Sequence, residues 1–222
     1  MDKMYKKMDT LFNAEGGDDE MALENSKNTK KIVDAAIELF REKGYHEVTV
    51  SDICHRADLN RSSFYAVFSS KLEIISHVTD SVKDDIASNS MDKLFMADND
   101  FERMWTLCDC YMQSALRFGP ELMGSLFSLE LEKKIDLFEG VHSVDDWYAK
   151  LIRNCQKDGI IRNTGDPDVL AKIGVDIELQ VTYIWCKEKG AFSLQERGRI
   201  YAENFYDIAP EYRAAWAKDK WK

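Results

Sequence analysis

The sequence predicts an all-α protein: an N-terminal three-helix domain containing a helix-turn-helix, followed by a C-terminal helical bundle. Three observations carry this. Apolar residues recur at helical spacing through most of the 222 residues, and no stretch alternates apolar and polar positions for long. Only three prolines occur, Pro120, Pro167 and Pro210. Thr49 to Ala57 and Arg61 to Phe68 read as two short helices across the three-residue turn Asp58-Leu59-Asn60, the arrangement whose second helix is sized for a major groove.

Residues 1–26 read as an acidic, disordered leader, because Glu15-Gly16-Gly17-Asp18-Asp19-Glu20 interrupts the apolar face of Met4, Met8, Leu11 and Phe12. Residues 27–77 form the predicted head. Ile32, Ala35, Ala36, Leu39 and Phe40 make one helical stripe, and Gly44 stops it. Thr49 with Asp52, and Ser70 with Glu73, each place a hydroxyl three residues before a carboxylate, which marks two further helix starts. The second opens a helix over 71–91 that links the head to the body, residues 78–222.

In the body, Asp100 to Phe118 is ended by Gly119-Pro120, and Pro120 opens a helix to about 132. Ser143-Val-Asp-Asp146 starts a helix closed near Gly159, and Asp166-Pro167 starts one running to about Lys189. Ser193 and Glu196 form a capping box for a last helix through Ile208, before a frayed tail holding Tyr212, Trp216 and Trp221.

Composition narrows the function. Hydrophobic residues at 45% and aromatics at 11% make a globular chain. The net charge of −10 argues against a general nucleic-acid coat, but it is unevenly spread: −4 over residues 1–26, −1 over 27–90 and −5 beyond. A sequence-specific binder needs only a few well-placed cations. Five cysteines without a disulfide-framework spacing point to reduced thiols and a cytoplasmic location. No apolar run approaches a membrane span, so no membrane partner is expected.

In the head, Ile53, Ala57, Leu59, Phe64 and Phe68 fall at spacings that bury them between three helices. Thr49 stands at a helix start, which favours phosphate. Arg61, Ser62 and Ser63 occupy the first turn of the second helix, where such motifs reach base edges. Arg61 is the one cation there, and a guanidinium suits guanine O6/N7 or phosphate. The ordered set Thr49-Val-Ser-Asp-Ile-Cys-His-Arg-Ala57, Asn60-Arg-Ser-Ser-Phe-Tyr65, Phe68 and Ser70-Lys-Leu-Glu73 resembles the amino-terminal domain of the tetracycline-repressor (TetR) family.

That resemblance covers about 50 residues and implies Thr49, Arg61, Ser62, Ser63, Tyr65 and Lys71 as contacts to a double-stranded DNA operator. Two departures stand out. Asp58 replaces the family's usual glycine in a turn that favours a left-handed backbone, and Val67 replaces a polar aromatic, which removes one expected phosphate contact.

A head this small needs a symmetric homodimer on a pseudo-palindromic site. The candidate interface lies on the last two helices: Leu170, Ile173, Gly174, Ile177, Val181 and Ile184 on one, with Leu194, Tyr201, Phe205 and Ile208 on the other. Gly174 would permit close approach of the two chains. Trp105, Cys108, Met112, Phe127, Trp147, Leu151 and Tyr183 are candidates to line a pocket for an apolar or aromatic small-molecule effector, although such stripes also serve as plain core. The resemblance implies a repressor that the effector releases from its operator.

No cofactor, metal site or enzymatic activity is expected. Glu139-Gly-Val-His142 matches Glu-x-x-His, but a di-iron bundle needs two such pairs. Cys108 and Cys110 point about 200° apart on one helix, so Cys108 is expected in the core and Cys110 outside. The alternative reading is a helical interaction or adaptor protein with a degenerate helix-turn-helix that does not bind DNA specifically.

Overall fold

The computed structural model describes residues 25–136 and 145–216, and the chain divides into two compact units between Val78 and Thr79. The expected leader up to residue 24, the Glu139–His142 pair, the Ser143 cap and Trp221 all lie outside the described residues.

Helix α1 (residues 25–43) already includes Asn25 and Ser26, two positions the sequence reading gave to the leader. It ends where Gly44 takes φ 79° and donates its amide to the Phe40 carbonyl. α2 (Val50–Ala57) starts with a reciprocal capping box between Thr49 and Asp52 and stops at Asp58, φ 53° and ψ 48°. Asp is among the few non-glycine residues that hold this left-handed conformation readily, so the departure from glycine is accommodated. α3 (Arg61–Tyr65) is capped by the Asn60 side chain on the Ser63 amide. Regular helix ends three residues earlier than expected, although the Phe68 amide still donates to the Phe64 carbonyl.

Ile53, Phe64 and Phe68 are buried with Ile32, Leu39, Phe40 and Ile74, while Leu59 is half-buried. Phe64, 0% exposed, anchors α3, and its burial is worth about 1.5–3 kcal/mol.

α4 (Lys71–Met96) runs five residues past its expected end, because Asp92 to Met96 contains no helix breaker. The Ser70 hydroxyl accepts from the Glu73 amide, but the Glu73 carboxylate reaches back one residue further, to the Ser69 amide at 2.6 Å.

α5 (Asp100–Leu131), α6 (Asp145–Lys157), α7 (Pro167–Lys187) and α8 (Leu194–Phe205) form the second unit. Gly119, φ 78° and ψ 162°, breaks α5 into two straight segments, with Pro120 opening the second. Asp166 accepts from the Asp168 and Val169 amides ahead of Pro167, as its sequence predicts. α7 packs on α5, α6 and α8.

The last helix closes three residues before its expected end at Ile208. Asp207 turns left-handed at φ 48°, and Ile208 forms an isolated antiparallel bridge with Ile161. The Asn163 side chain donates to the Phe205 carbonyl at 2.8 Å, satisfying a helix-end acceptor. Tyr212 lies in a 3-10 turn, Pro210–Tyr212, in place of the expected frayed helix.

Gly174 has a role inside the chain. An added Cβ there would overlap the hydroxyl of Tyr206, a ring only 5% exposed, and lie 3.0 Å from its Cζ. At Gly198 the overlapped atom is the flexible tip of Met112. Gly174→Ala is therefore expected to cost about 1–3 kcal/mol in urea unfolding, and Gly198→Ala distinctly less. Equal costs would mean that the Tyr206 ring moves freely.

Candidate functional site

α3 presents its first turn outward. Arg61, Ser62 and Tyr65 are exposed and Ser63 is half-buried, while Phe64 on the opposite side is locked in the core. Asn60 organises this turn by accepting from the Ser63 amide at 2.8 Å and the Ser62 hydroxyl at 2.6 Å. Arg61 donates to the Ser51 hydroxyl on α2, which ties its guanidinium across the turn. Tyr65, 56% exposed, packs edge-on against Phe64 and leaves its phenol in solvent. The structure thus brings Arg61, Ser62, Ser63 and Tyr65 onto one short helix.

Thr49 and Lys71 stand at the expected helix starts, and their side chains bond within the head. The Thr49 hydroxyl donates to Asp52 at 2.6 Å, and that carboxylate occupies the start of α2. These bonds to Thr49 hold the Asp52 carboxyl below its usual range. The Lys71 ammonium donates to the carbonyls of Tyr45 at 2.7 Å, Val48 at 2.8 Å and His46 at 3.4 Å, and sits 4.2 Å from the Tyr45 ring centre. Three carbonyls match the three donors of an ammonium, so Lys71 fastens the loop between α1 and α2.

The residues expected to line a ligand pocket fall in two places. Cys108, Leu151 and the half-buried Trp105 and Trp147 belong to one apolar core shared by α5, α6 and α7, and Met112 is fully buried next to Gly198. Phe127 and Tyr183 meet elsewhere, edge to face at 6.2 Å, with Tyr183 exposed. An open groove of about 900 Å³ lies among Lys93, Asp98, Glu102, Asp158 and Tyr212, and none of the seven expected residues borders it.

The expected Cys108–Cys110 contrast is corrected: both are buried, because α5 is enclosed on both sides. All five cysteines are free.

Glu178 gave no signal in the sequence. It faces inward from α7, and its carboxyl accepts the Cys108 thiol. Burial pushes it up to about 7. Tyr148 lies 3.7 Å from the Cys108 sulfur, and burial raises Tyr148, Tyr206 and Cys108 well above their ordinary values. A second missed group is the buried pair Arg199 and Glu203 with the half-buried Glu102.

Of the residues expected at a dimer face, Leu170, Gly174, Val181, Leu194 and Ile208 are buried within this single chain. Ile173 and Tyr201 are exposed, and Ile177, Ile184 and Phe205 are half-buried. Val169 and Tyr183, outside the expected face, extend the exposed stripe on α7.

Among the described residues no helix is long and apolar enough to cross a membrane.

Comparison with known proteins places this geometry. Residues 32–78 match the family model for bacterial regulatory proteins of the tetR family. The chain is 30% identical over 89 residues to the uncharacterized HTH-type transcriptional regulator YvdT of Bacillus subtilis (strain 168), a match spanning 40% of this chain and 44% of that protein's length. The MbdR regulator of Azoarcus sp. CIB superposes with TM-score 0.61 at 17% identity, over 82% of this chain and 98% of that one. Thermus thermophilus FadR, a TetR-family repressor solved in complex with lauroyl-CoA, gives TM-score 0.54 at 18% identity, over 80% and 92%. At these identities the structural likeness establishes the fold.

Proposed function

We propose that this chain is a dimeric, ligand-responsive transcriptional repressor of the TetR type, a reading supported by the match of residues 32–78 to the family model for bacterial regulatory proteins of the tetR family. The observation that carries the reading is α3 itself: a short helix anchored by buried Phe64 and capped by Asn60, with Arg61, Ser62 and Tyr65 turned to solvent. One such helix reads a few base pairs, so a pseudo-palindromic operator and two copies of the head are required. The exposed stripe Val169, Ile173 and Tyr183, with Tyr201 on α8, supports pairing through the outer faces of α7 and α8. The lauroyl-CoA complex of the Thermus thermophilus relative supports a ligand-binding role for the carboxyl-terminal unit.

The hydrogen bonds of the head support a division of labour. Arg61 and Tyr65 meet DNA, Ser62 and Ser63 shape the turn, and Lys71 positions the loop. A gel shift and footprint on the protein's own promoter region test this. Two protected half-sites about one helical turn apart, or a simple multiple, are expected. Arg61→Ala should flatten the preference between operator and unrelated DNA. Lys71→Ala should weaken binding together with a lowered melting temperature of the head. Loss of DNA affinity at an unchanged melting temperature would assign Lys71 to phosphate instead.

The engagement of Lys71 with carbonyls also favours the second reading, an interaction protein whose head does not grip DNA. Absence of any protected site would select it.

A further inference from the structure

The inward face of α7 runs through Leu170, Gly174, Glu178, Thr182 and Trp185. All of these are buried except Glu178, which keeps partial exposure in the middle of a closed face. Tyr111 and Leu107 do the same on α5, beside buried Met104, Cys108, Met112 and Ala115. The polar groups between these helices are poorly matched. The Glu178 carboxyl has one partner, the Cys108 thiol, and no cation pairs with it among the described residues. The Tyr111 hydroxyl is buried without a partner.

A buried carboxyl normally carries several donors or a cation, and an unmatched buried hydroxyl costs about 1–3 kcal/mol. The groups facing Glu178 are the thiol of Cys108 and the phenols of Tyr111, Tyr148 and Tyr206, none of them cationic. Apolar walls stand beside them in Trp105, Leu107, Trp147 and Leu179. A lone carboxyl among phenols and apolar side chains is complementary to an organic cation, whose charge it can match and whose body the aromatic groups can hold.

We propose that Glu178 is the anchor of the effector site, and that the effector is a small organic cation: a protonated amine carried on an apolar or aromatic body. This rests on the carboxyl-terminal unit being the effector-binding body. The amine binds the ionised carboxylate, so in acid the cation must displace a proton from Glu178. Affinity then falls about tenfold for each pH unit below about 7, the value to which burial raises this carboxyl.

The full chain and its Glu178→Gln variant are titrated calorimetrically with 4-phenylbutylamine and its neutral isostere 4-phenylbutanol, from pH 5.5 to 8.5. The expected result is at least about tenfold tighter binding of the amine by the wild type, the stated fall in acid, and loss of the amine preference in Glu178→Gln. Equal binding of amine and alcohol, an amine preference retained in Glu178→Gln, or no amine binding overturns the proposal. Should Glu178→Gln not fold, the wild-type pH profile decides alone, and a flat profile overturns it. A gel shift without ligand separates the two levels. Operator binding without amine binding removes the cation site and leaves the regulator; amine binding without operator binding does the reverse.

Discussion

Arg199→Ala is expected to lower the stability of the carboxyl-terminal unit by about 3–5 kcal/mol, the cost of leaving a buried charge without its partner. Arg199 and Glu203 are 4% and 1% exposed. The guanidinium donates through Nε to Glu203 at 2.7 Å and through Nη1 to Glu102 at 2.9 Å, and it lies 4.6 Å from the Phe101 ring centre. The Ala214 amide also donates to Glu203, while Oε2 of that carboxylate has no partner. Without the arginine, the buried Glu203 carboxylate loses its cation, and Glu102, whose side chain is 31% exposed, is left facing it. Lysine is not an adequate substitute, since it lacks the planar fork that serves both carboxylates. Urea unfolding of the single variant and of Arg199→Met with Glu203→Met provides the check. The double apolar replacement is expected to recover most of the loss, whereas an equal loss would assign the effect to packing.

The second large effect is a dependence on pH. Glu178 protonates near 7 in the folded chain, against an ordinary value of 4.5. Between those values the folded chain binds more protons than the unfolded one, so stability falls as pH rises. The contribution is fully present below 4.5 and lost once pH has passed through about 7. The gap corresponds to about 3 kcal/mol. Glu178→Gln should therefore be more stable than wild type by about that amount at pH 8, with a gain of under about 1 kcal/mol at pH 5. A gain independent of pH would indicate that the carboxyl is ionised throughout. Carboxylates in the head move the opposite way, since Ser69 holds Glu73 and Arg56 holds Glu42 below their usual range. The comparison with Glu178→Gln removes their influence.

The sequence reveals what depends on neighbours along the chain. Thr49 with Asp52, Asp166 with Pro167, Gly44 and Gly119 each govern the few residues around them, and their helix ends stand where expected. The outward turn of α3 is legible for the same reason, because burying Phe64 fixes the opposite side of the helix. What escaped is non-local. Glu178 meets a thiol 70 residues away and Arg199 a carboxylate 97 residues away, and no periodicity encodes such pairings.

The wide apolar arc of α7 is hard to apportion for a related reason. Its width predicts two partners, and much of it is consumed by α5, α6 and α8 of the same chain. Cys110 followed suit: a helix packed on two sides has no outside for its second thiol. Lys71 matches the expected motif in identity and position, but its ammonium turns onto carbonyls up to 26 residues earlier, a pairing that no local pattern encodes.

Arg56 on α2 is gripped by both oxygens of Glu42, at 3.1 and 2.9 Å, and also by Glu38 at 3.2 Å. With that exposed guanidinium paired to two carboxylates of α1, the head has one cation fewer to displace the ion atmosphere of a duplex. Each phosphate neutralised contributes about −0.9 to the slope of log affinity against log salt. Shallow salt sensitivity follows, and with it little lingering on random DNA: occupancy of a promoter would be decided by base edges more than by the polyanion.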